Sequence, residues 1–231
     1  MRVTILTAVA LLSCGIRGMA FADTAAPAAV QHAQADEAQQ RTERALDIML
    51  FESGLFVASI AEVEPYMDPD HRERGLRRLT RGLDPQRAEA ARAYMAEFDS
   101  RFAAALERAR PQIVTRVADA LQTTLSAEEL AALQDFVLGE DTSALFLRMM
   151  REWVGRGGSG KTLDVANYTN SELMTLAAFM EGPGGRVFDE KADAFDAIML
   201  AEFETFVPAF EREFTLGLCE ISGEDCPRWT R

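Results

Sequence analysis

Apolar residues recur along most of this chain with the spacing of a helix. From about residue 37 onward, large apolar side chains return every three or four positions, which places them on one helical face. Between Leu46 and Val63 this spacing predicts a single helix, ended by Pro65. A short basic helix is predicted at about 70 to 81. No stretch alternates apolar and polar residues long enough to indicate a strand. The pattern therefore predicts an all-α protein.

Prolines divide the middle of this helical pattern. Asp84 and Pro85 fit the N-cap and the first helical position of a new helix, whose apolar stripe continues to Leu106. Pro111 is then predicted to open the helix that follows, because proline is favoured in a first turn and lacks the N–H that a helix interior needs.

A short phrase opens two predicted helices and recurs 43 residues later. The copies begin at Ser126 and Thr169, and a glutamate three positions after each hydroxyl gives the pattern of a capping box. Capping explains these glutamates better than catalysis does. Each copy is predicted to end in a left-handed glycine, before a second helix led by Leu145 or Phe188. The matching pairs are Glu129 and Glu172, Leu130 and Leu173, Leu133 and Leu176, Phe136 and Phe179, and Gly139 and Gly182.

The second copy resembles a known bacterial family. The pattern Thr169-x-x-Glu172-Leu173-x-x-Leu176-x-x-Phe179-x-x-x-Pro183-x-Gly185 is similar to the signature of domain of unknown function 2059, over about residues 110 to 215. The resemblance implies a small, exported, helical protein, and because that family has no assigned activity it brings no catalytic residues. The first copy departs from the signature, with Glu140 at the proline position and Thr142 at the glycine position.

The first 22 residues have the composition of a secretory signal. A basic Arg2, an apolar run from Val3 to Leu12 and the small-residue site Ala20-Phe21-Ala22 predict cleavage after Ala22. The alternative is a lipoprotein signal in which Cys14 is acylated. We therefore expect a periplasmic or secreted protein.

Composition predicts how the exported chain is organised. Residues 23–36 are rich in Ala, Gln and Pro and are predicted to form a flexible tether. Residues 37–216 are predicted to form one all-α domain, either a helical bundle or a short array of helix pairs, with the repeat copies near 126–155 and 169–214. Residues 217–231 are predicted to form a C-terminal tail.

Two cysteines in that tail predict a disulfide. Cys219 and Cys226 remain after the signal is removed, and an oxidising compartment favours their pairing as a structural bridge. The alternative is a redox-active pair, but the spacing is not C-x-x-C and the acidic flanks raise a thiol pKa.

The chain is acidic, with a formal net charge of −13. This charge argues against nucleic acid or an anionic membrane as a partner, because both would be repelled. No segment is long and apolar enough to predict a transmembrane helix.

One segment matches the nucleotide-binding P-loop pattern G-x-x-x-x-G-K-[ST], through Gly155, Gly160, Lys161 and Thr162. A P-loop follows a buried strand, whereas the residues before Gly155 are predicted to end a helix. We interpret the segment as a glycine-rich linker and predict no cofactor.

Metal sites and nucleophilic catalysis have little support. The only histidines are His32 and His71, and neither belongs to a metal-binding pattern or to a G-x-S-x-G elbow with its partners. We therefore predict no metal and no catalytic residue.

Aromatic residues line the last long helix, predicted from Phe188 to Phe214 with a kink at Pro208. Such stripes are usually core, and the alternative is an apolar groove for a lipid tail or a partner helix. The groove residues would be Phe195, Met199, Phe203, Phe206 and Phe210.

Two functional hypotheses follow. The first is an exported, non-enzymatic protein that binds an envelope protein or a lipid-like ligand. The second is an envelope hydrolase that uses carboxylates in a cleft between helices, and carboxylates with burial-raised pKa values converging in a pocket would favour it.

Overall fold

The structure is a computed structural model that describes residues 28–155 and 164–223, with side chains from residue 35 onward. Within these ranges the chain forms α-helices and no strand, which confirms the all-α prediction. The helices are α1 (Ala28–Asp47), α2 (Leu55–Val63), α3 (Pro69–Thr80), α4 (Pro85–Ala96), α5 (Phe98–Thr124), α6 (Ala127–Leu138), α7 (Ser143–Gly155), α8 (Asn170–Glu181), α9 (Pro183–Asp189) and α10 (Ala192–Ser222).

Helix α5 lies at the centre of the bundle, in contact with α1, α4, α6 and α10. Its Phe98 and Phe102 are buried and meet aromatic rings of α10. The Phe98 ring lies 5.5 Å from that of Phe210, and the Phe102 ring lies 5.6 Å from that of Phe206, both edge to face. Because aromatic pairs favour this arrangement, they fix how α5 and α10 pack.

Prolines inside α5 and α10 do not end these helices. Helix α5 runs through Pro111, so the prediction that Pro111 opens a new helix was wrong; the break falls earlier, at Glu97 between α4 and α5. Pro111 and Pro208 both lie on exposed faces, where water can satisfy the carbonyl group that each proline leaves unbonded.

The single helix predicted between Leu46 and Val63 is interrupted. After α1 comes a π-helical turn (Ile48–Glu52), followed by Ser53 and by Gly54 with φ of 83°. A positive φ is readily adopted only by glycine, so Gly54 allows α2 to leave in a new direction. The hydroxyl group of Ser53 donates to the carbonyl of Met49 and accepts the Leu55 amide.

Both ends of the described chain are more helical than predicted. Helix α1 begins at Ala28, inside the predicted tether, because Ala and Gln are strong helix formers. Helix α10 extends to Ser222, so the first residues of the predicted tail are helical. Cys219 lies in the last turns of α10 and is disulfide-bonded. Cys226 lies outside the described residues, as do the predicted signal and Cys14, so the pairing of Cys219 with Cys226 stays a prediction.

Each copy of the repeated phrase begins with the predicted capping box. The Ser126 hydroxyl accepts the Glu129 amide at 3.2 Å, and the Glu129 carboxylate accepts the Ser126 amide at 2.8 Å. Thr169 and Glu172 exchange the same two bonds, at 3.3 and 2.7 Å. Local sequence alone therefore predicted where α6 and α8 begin.

The predicted left-handed glycines at the ends of these helices were wrong. Gly139 has φ of −62° and Gly182 has φ of −89°, and both are extended. Close packing explains the glycine at 139, where a Cβ atom would lie 2.6 Å from the Asp135 carbonyl oxygen. The constraint is weaker at Gly182, where a Cβ atom would lie 3.2 Å from the Ala178 carbonyl oxygen.

The helices that follow the two copies differ. After α6, Leu145 lies near the start of the long helix α7, as predicted. After α8, Phe188 lies at the end of the short helix α9, and α10 begins separately at Ala192, so one long helix from Phe188 was wrong. The copies meet through Phe136 and Phe179, whose rings stack with centroids 4.0 Å apart.

Candidate functional site

The residues of the predicted apolar groove belong to the core. Phe195 is half-buried and the other four are buried, so none of the five lines an open groove. Phe203, for example, packs edge to face against Phe56 of α2 at 5.0 Å. The groove interpretation was therefore wrong, because α2, α4 and α5 cover the aromatic side of α10. The buried residues are Met199, Phe203, Phe206 and Phe210.

The P-loop lookalike begins at the end of a helix. Gly155 is the last residue of α7, and this helix occupies the place where a P-loop would need a strand. The helix predicted before the glycine run is thus confirmed, whereas Gly160, Lys161 and Thr162 lie outside the described residues.

Metal-binding side chains do not cluster in the described ranges: no group of three or more His, Cys, Asp or Glu residues there could hold an ion. His71 lies on α3, and His32 lies in α1, before the first described side chain.

Among the described helices, none combines the length and apolar character that crossing a membrane requires.

An open depression lies between α7 and a 3₁₀ turn (Val165–Asn167) that precedes α8. Its volume is about 630 Å³. Ala144 and Leu147 give it an apolar part, and the guanidinium groups of Arg148 and Arg151 give it positive charge. Glu152 and Asn167 complete its lining. The depression therefore combines a small apolar area with charged groups of both signs and with hydrogen-bond donors.

Arg148 connects the depression to the second capping box. Its guanidinium group forms an ion pair with the Glu172 carboxylate and lies over the Tyr168 ring, 4.9 Å from the ring centre. The backbone amide of Thr169, and then Arg148, lower the pKa of Glu172 to about 2. Glu172 is therefore ionised at any physiological pH and holds Arg148 in place at the edge of the depression.

Tyr168 and Glu152 form the opposite side of this network. The Tyr168 hydroxyl donates to a Glu152 carboxylate oxygen at 2.9 Å, and the other oxygen accepts the Asp164 amide at 2.8 Å. Burial, and then the Glu152 carboxylate, raise the pKa of Tyr168 to about 12. Tyr168 thus remains a neutral donor that ties α7 to the turn before α8.

Arg151 differs from Arg148 in its hydrogen-bond partner, which is a backbone carbonyl and not a carboxylate. Its Nη2 donates to the Glu52 carbonyl at 3.2 Å, where the π-helical turn leaves that oxygen outside a regular helix. Within the described part of the chain it forms no ion pair with a carboxylate. Since one guanidinium group carries five donors, Arg151 can still bind an oxyanion from outside.

A second cluster of titratable groups lies where the end of α2 meets α10. Burial raises the pKa of Glu64, and burial together with the nearby Glu64 charge raises the pKa of Glu211. Burial, then Glu64 and Glu211, also raise the pKa of Tyr66, whose buried hydroxyl has no hydrogen-bond partner among the described atoms. Raised carboxyl pKa values meet one condition set for the hydrolase hypothesis, but the α7 depression does not include these residues.

Sequence reasoning missed the residues around the depression. The only signal for Arg148 and Arg151 was their spacing of three positions on one helix, which is also typical of any solvated face. Tyr168 stands directly before the N-cap Thr169, a position that indicated a helix start and nothing more.

The chain matches no protein-family model, and comparisons with curated proteins and with solved structures give no match either. The resemblance to domain of unknown function 2059 stays a prediction.

Proposed function

We propose that this is an exported, non-catalytic protein of the cell envelope that binds a partner protein through the depression on α7. The ligand would be an acidic side chain or a C-terminal carboxylate of that partner. The observation that carries the proposal is the pair of arginines beside an apolar surface in an open depression of about 630 Å³.

Arginine chemistry favours a carboxylate ligand. A guanidinium group binds a carboxylate through two parallel N–H donors, and such charge-assisted bonds are stronger than neutral ones. Arg148 is already engaged by Glu172 and Tyr168, so it is oriented before a ligand arrives. Arg151 has no ion pair among the described residues, so its remaining N–H donors are available to the ligand. Ala144 and Leu147 would contact the apolar part of the ligand next to its carboxylate.

The network around the depression favours binding over catalysis. Glu172 is ionised and engaged in the cap, and Tyr168 is a neutral donor at physiological pH, so neither is poised to transfer a proton near neutrality. The envelope location rests on the signal-like residues at the start of the chain and on the disulfide at Cys219, because disulfides persist in oxidising compartments.

The experiment joins partner capture to a matched pair of variants. Affinity capture from an envelope fraction, with lipid extraction of the same preparation, would identify the partner, and calorimetry would then measure its affinity. Arg151→Ala should weaken that affinity severalfold, because the ligand carboxylate loses its charge-assisted hydrogen bonds to this guanidinium group. Arg92→Ala removes an exposed arginine of α4 that is paired with Glu89, and it should leave the affinity unchanged. Equal affinity for the wild type and Arg151→Ala would show that the partner binds elsewhere.

The hydrolase alternative is favoured by one observation, the raised pKa values of Glu64 and Glu211 beside the buried Tyr66 hydroxyl. Two such carboxyl groups could act as acid and base in hydrolysis. Purified protein would be assayed on chromogenic glycosides and esters, with Glu211→Gln as the test variant. An activity that Glu211→Gln abolishes would support the alternative, and an activity that it leaves intact would contradict it.

A further inference from the structure

Helix α3 carries the opposite charge from the rest of the chain. Residues 69–81 contain five arginines and two acidic residues, a net charge of +3, within a protein whose formal net charge is −13. The negative net charge of the protein therefore coexists with a local region of positive charge on α3. The arrangement of the arginines on this helix determines what the region can bind.

Four of these arginines lie on one face of the helix. Arg74, Arg77, Arg78 and Arg81 stand at positions i, i+3, i+4 and i+7, which share a face, and all four are exposed. We call them the arginine stripe. At a rise of 1.5 Å per residue, the stripe is about 10 Å long.

The stripe lies on the periphery of the fold. No residue of α3 is fully buried, and the helix contacts mainly α4 and the 3₁₀ turn at Pro65–Met67. Its apolar residues Leu76 and Leu79 pack against the core, so the charged face is directed away from the protein. A large surface can therefore approach the stripe.

The fifth arginine of α3, Arg72, has a structural role and does not belong to the stripe. Arg72 is half-buried, donates to the carbonyl groups of Tyr66 and Met67 at 3.0 and 2.9 Å, and pairs with Asp99. It also lies 4.4 Å from the Phe98 ring centre. Arg72 is thus committed to holding α3 against the protein.

The stripe arginines have no comparable internal role. Among the described residues Arg77 pairs only with Glu73 of its own helix, and the Arg74 contact with Asp68 is long, at 3.9 Å. Arg78 and Arg81 form no ion pair within the described residues. Most of the stripe's charge is therefore available to a ligand outside the protein.

We propose that the arginine stripe docks the protein on an anionic phospholipid surface, by electrostatic adsorption without insertion. A bilayer surface presents many phosphate groups in one plane, and exposed arginines in a row can reach several of them together. A protein partner would need an apolar anchor buried at the centre of its interface, and the leucines of α3 are used in the fold.

The net negative charge of the protein does not prevent this docking. At physiological ionic strength the screening length is about 8 Å, so acidic residues on distant faces are screened while the stripe contacts the lipid. The whole-chain charge predicts repulsion from an anionic membrane, whereas the local charge of α3 predicts attraction at this one face. This inference is independent of the α7 depression.

Vesicle flotation tests the proposal with the full-length exported protein. The probes are vesicles of phosphatidylcholine with and without phosphatidylglycerol, at low, physiological and high salt. We expect the wild type to bind only the phosphatidylglycerol vesicles and to dissociate as salt rises. Each arginine near a charged bilayer strengthens binding about fivefold, so Arg77→Glu with Arg78→Glu should weaken it by about 25-fold or more.

A matched control separates the stripe from net charge. Arg186→Glu with Arg212→Glu makes the same change in charge at two exposed arginines that have no ion pair among the described residues, and it should change vesicle binding less than threefold. Circular dichroism would verify that both double variants fold. Three results would each overturn the proposal: no binding of the wild type to phosphatidylglycerol vesicles, equal losses in the two variants, or binding to duplex DNA without binding to vesicles.

Discussion

The two copies of the repeated phrase begin with the same kind of capping box and end in different surroundings. In α6 the capping box is followed by buried Leu133, Phe136 and Val137, whereas in α8 only Leu176 is fully buried. Met180, the counterpart of Val137, is 49% exposed. The contrast teaches that a few neighbouring residues decide where a helix begins, while the rest of the fold decides how much of its apolar face is covered.

The glutamates of the two boxes differ in the same way. Glu129 is buried beneath the neighbouring helices, and the Ser126 amide lowers its pKa. Glu172 keeps the same cap and also binds Arg148 from α7, so it joins the candidate binding site. The capping glutamate of the first copy thus has only a structural role, whereas the capping glutamate of the second copy also binds Arg148.

The segments after the boxes explain why the helices that follow differ. The second copy has Pro183, Gly184 and Gly185 where the first has Glu140, Asp141 and Thr142. A Cβ atom at Gly185 would overlap the Met180 carbonyl, so only glycine allows α9 to turn back so closely against α8. In the first copy the chain instead continues into the longer helix α7.

The largest expected effect is at the stacked phenylalanines that join the copies. Phe136→Ala should lower the free energy of unfolding by about 3–4 kcal/mol, because it removes a fully buried ring. Phe179→Ala should lower it by about 2 kcal/mol, since that ring is half-buried. Urea unfolding followed by circular dichroism measures both, with the 74% exposed Met174→Ala as the control. Equal losses for the two rings would contradict the difference in burial.

The next effect is at the close contact between Gly185 of α9 and the Met180 carbonyl of α8. Gly185→Ala should lower the free energy of unfolding by about 2 kcal/mol, because the added methyl group forces α9 away from the Met180 carbonyl. Gly82→Ala, which has no neighbouring atom within 4 Å of the added carbon, is the matched control. If both substitutions were neutral in urea unfolding, α9 would not be packed as the structure places it.

The capping boxes should be equivalent despite their different surroundings. Ser126→Ala and Thr169→Ala should each lower the free energy of unfolding by about 1 kcal/mol, the usual contribution of an N-cap side chain. Ser126→Thr and Thr169→Ser keep the hydroxyl and should restore most of the loss. A loss confined to one copy, again measured in urea, would show that the caps are not the independent local devices we infer.

The smallest effect is a pH dependence that belongs to the second box. The pKa of Glu172 lies at about 2 in the folded protein, below its ordinary value of 4.5, so the folded state favours the ionised form. Its contribution to stability is therefore complete above pH 4.5 and is lost as the pH falls toward about 2.

Carboxyl NMR would follow this titration directly. Arg148→Ala should move the Glu172 pKa upward, because the ion pair is lost while the cap remains, and it should leave the Glu129 pKa unchanged. Glu172→Gln should reduce the loss in the free energy of unfolding that accompanies a fall in pH from 4.5 toward about 2. If Arg148→Ala leaves the Glu172 titration where it was, the ion pair does not form in solution.

Sequence patterns foresaw much of the fold because many of its signals are local. The Asp84 cap on α4 and both capping boxes act within three residues of each helix start, and all are present. The positions at which helices are interrupted were harder to predict from the sequence. The π-helical turn before Gly54 and the continuous helix through Pro111 depend on packing partners far along the chain, and periodicity carries no information about those partners.

The candidate site was largely beyond sequence reasoning. The aromatic stripe of α10 was correctly placed on one face, but only its contacts with α2, α4 and α5 decide that the face is buried. The ion pair between Arg148 and Glu172 joins residues whose spacing along the chain suggested no contact. Long-range pairs of this kind depend on how helices pack, and an isolated sequence does not specify that packing.

By itself, the sequence determined that the chain is helical, where its capped helices begin and that its charge is unevenly distributed, because these properties depend on composition and on residues three or four positions apart. The tertiary structure decided that the phenylalanines of α10 form the core, that Arg148 reaches the second capping box and that the arginines of α3 face solvent. The physical reason is that burial and ion pairing depend on which helices lie beside one another.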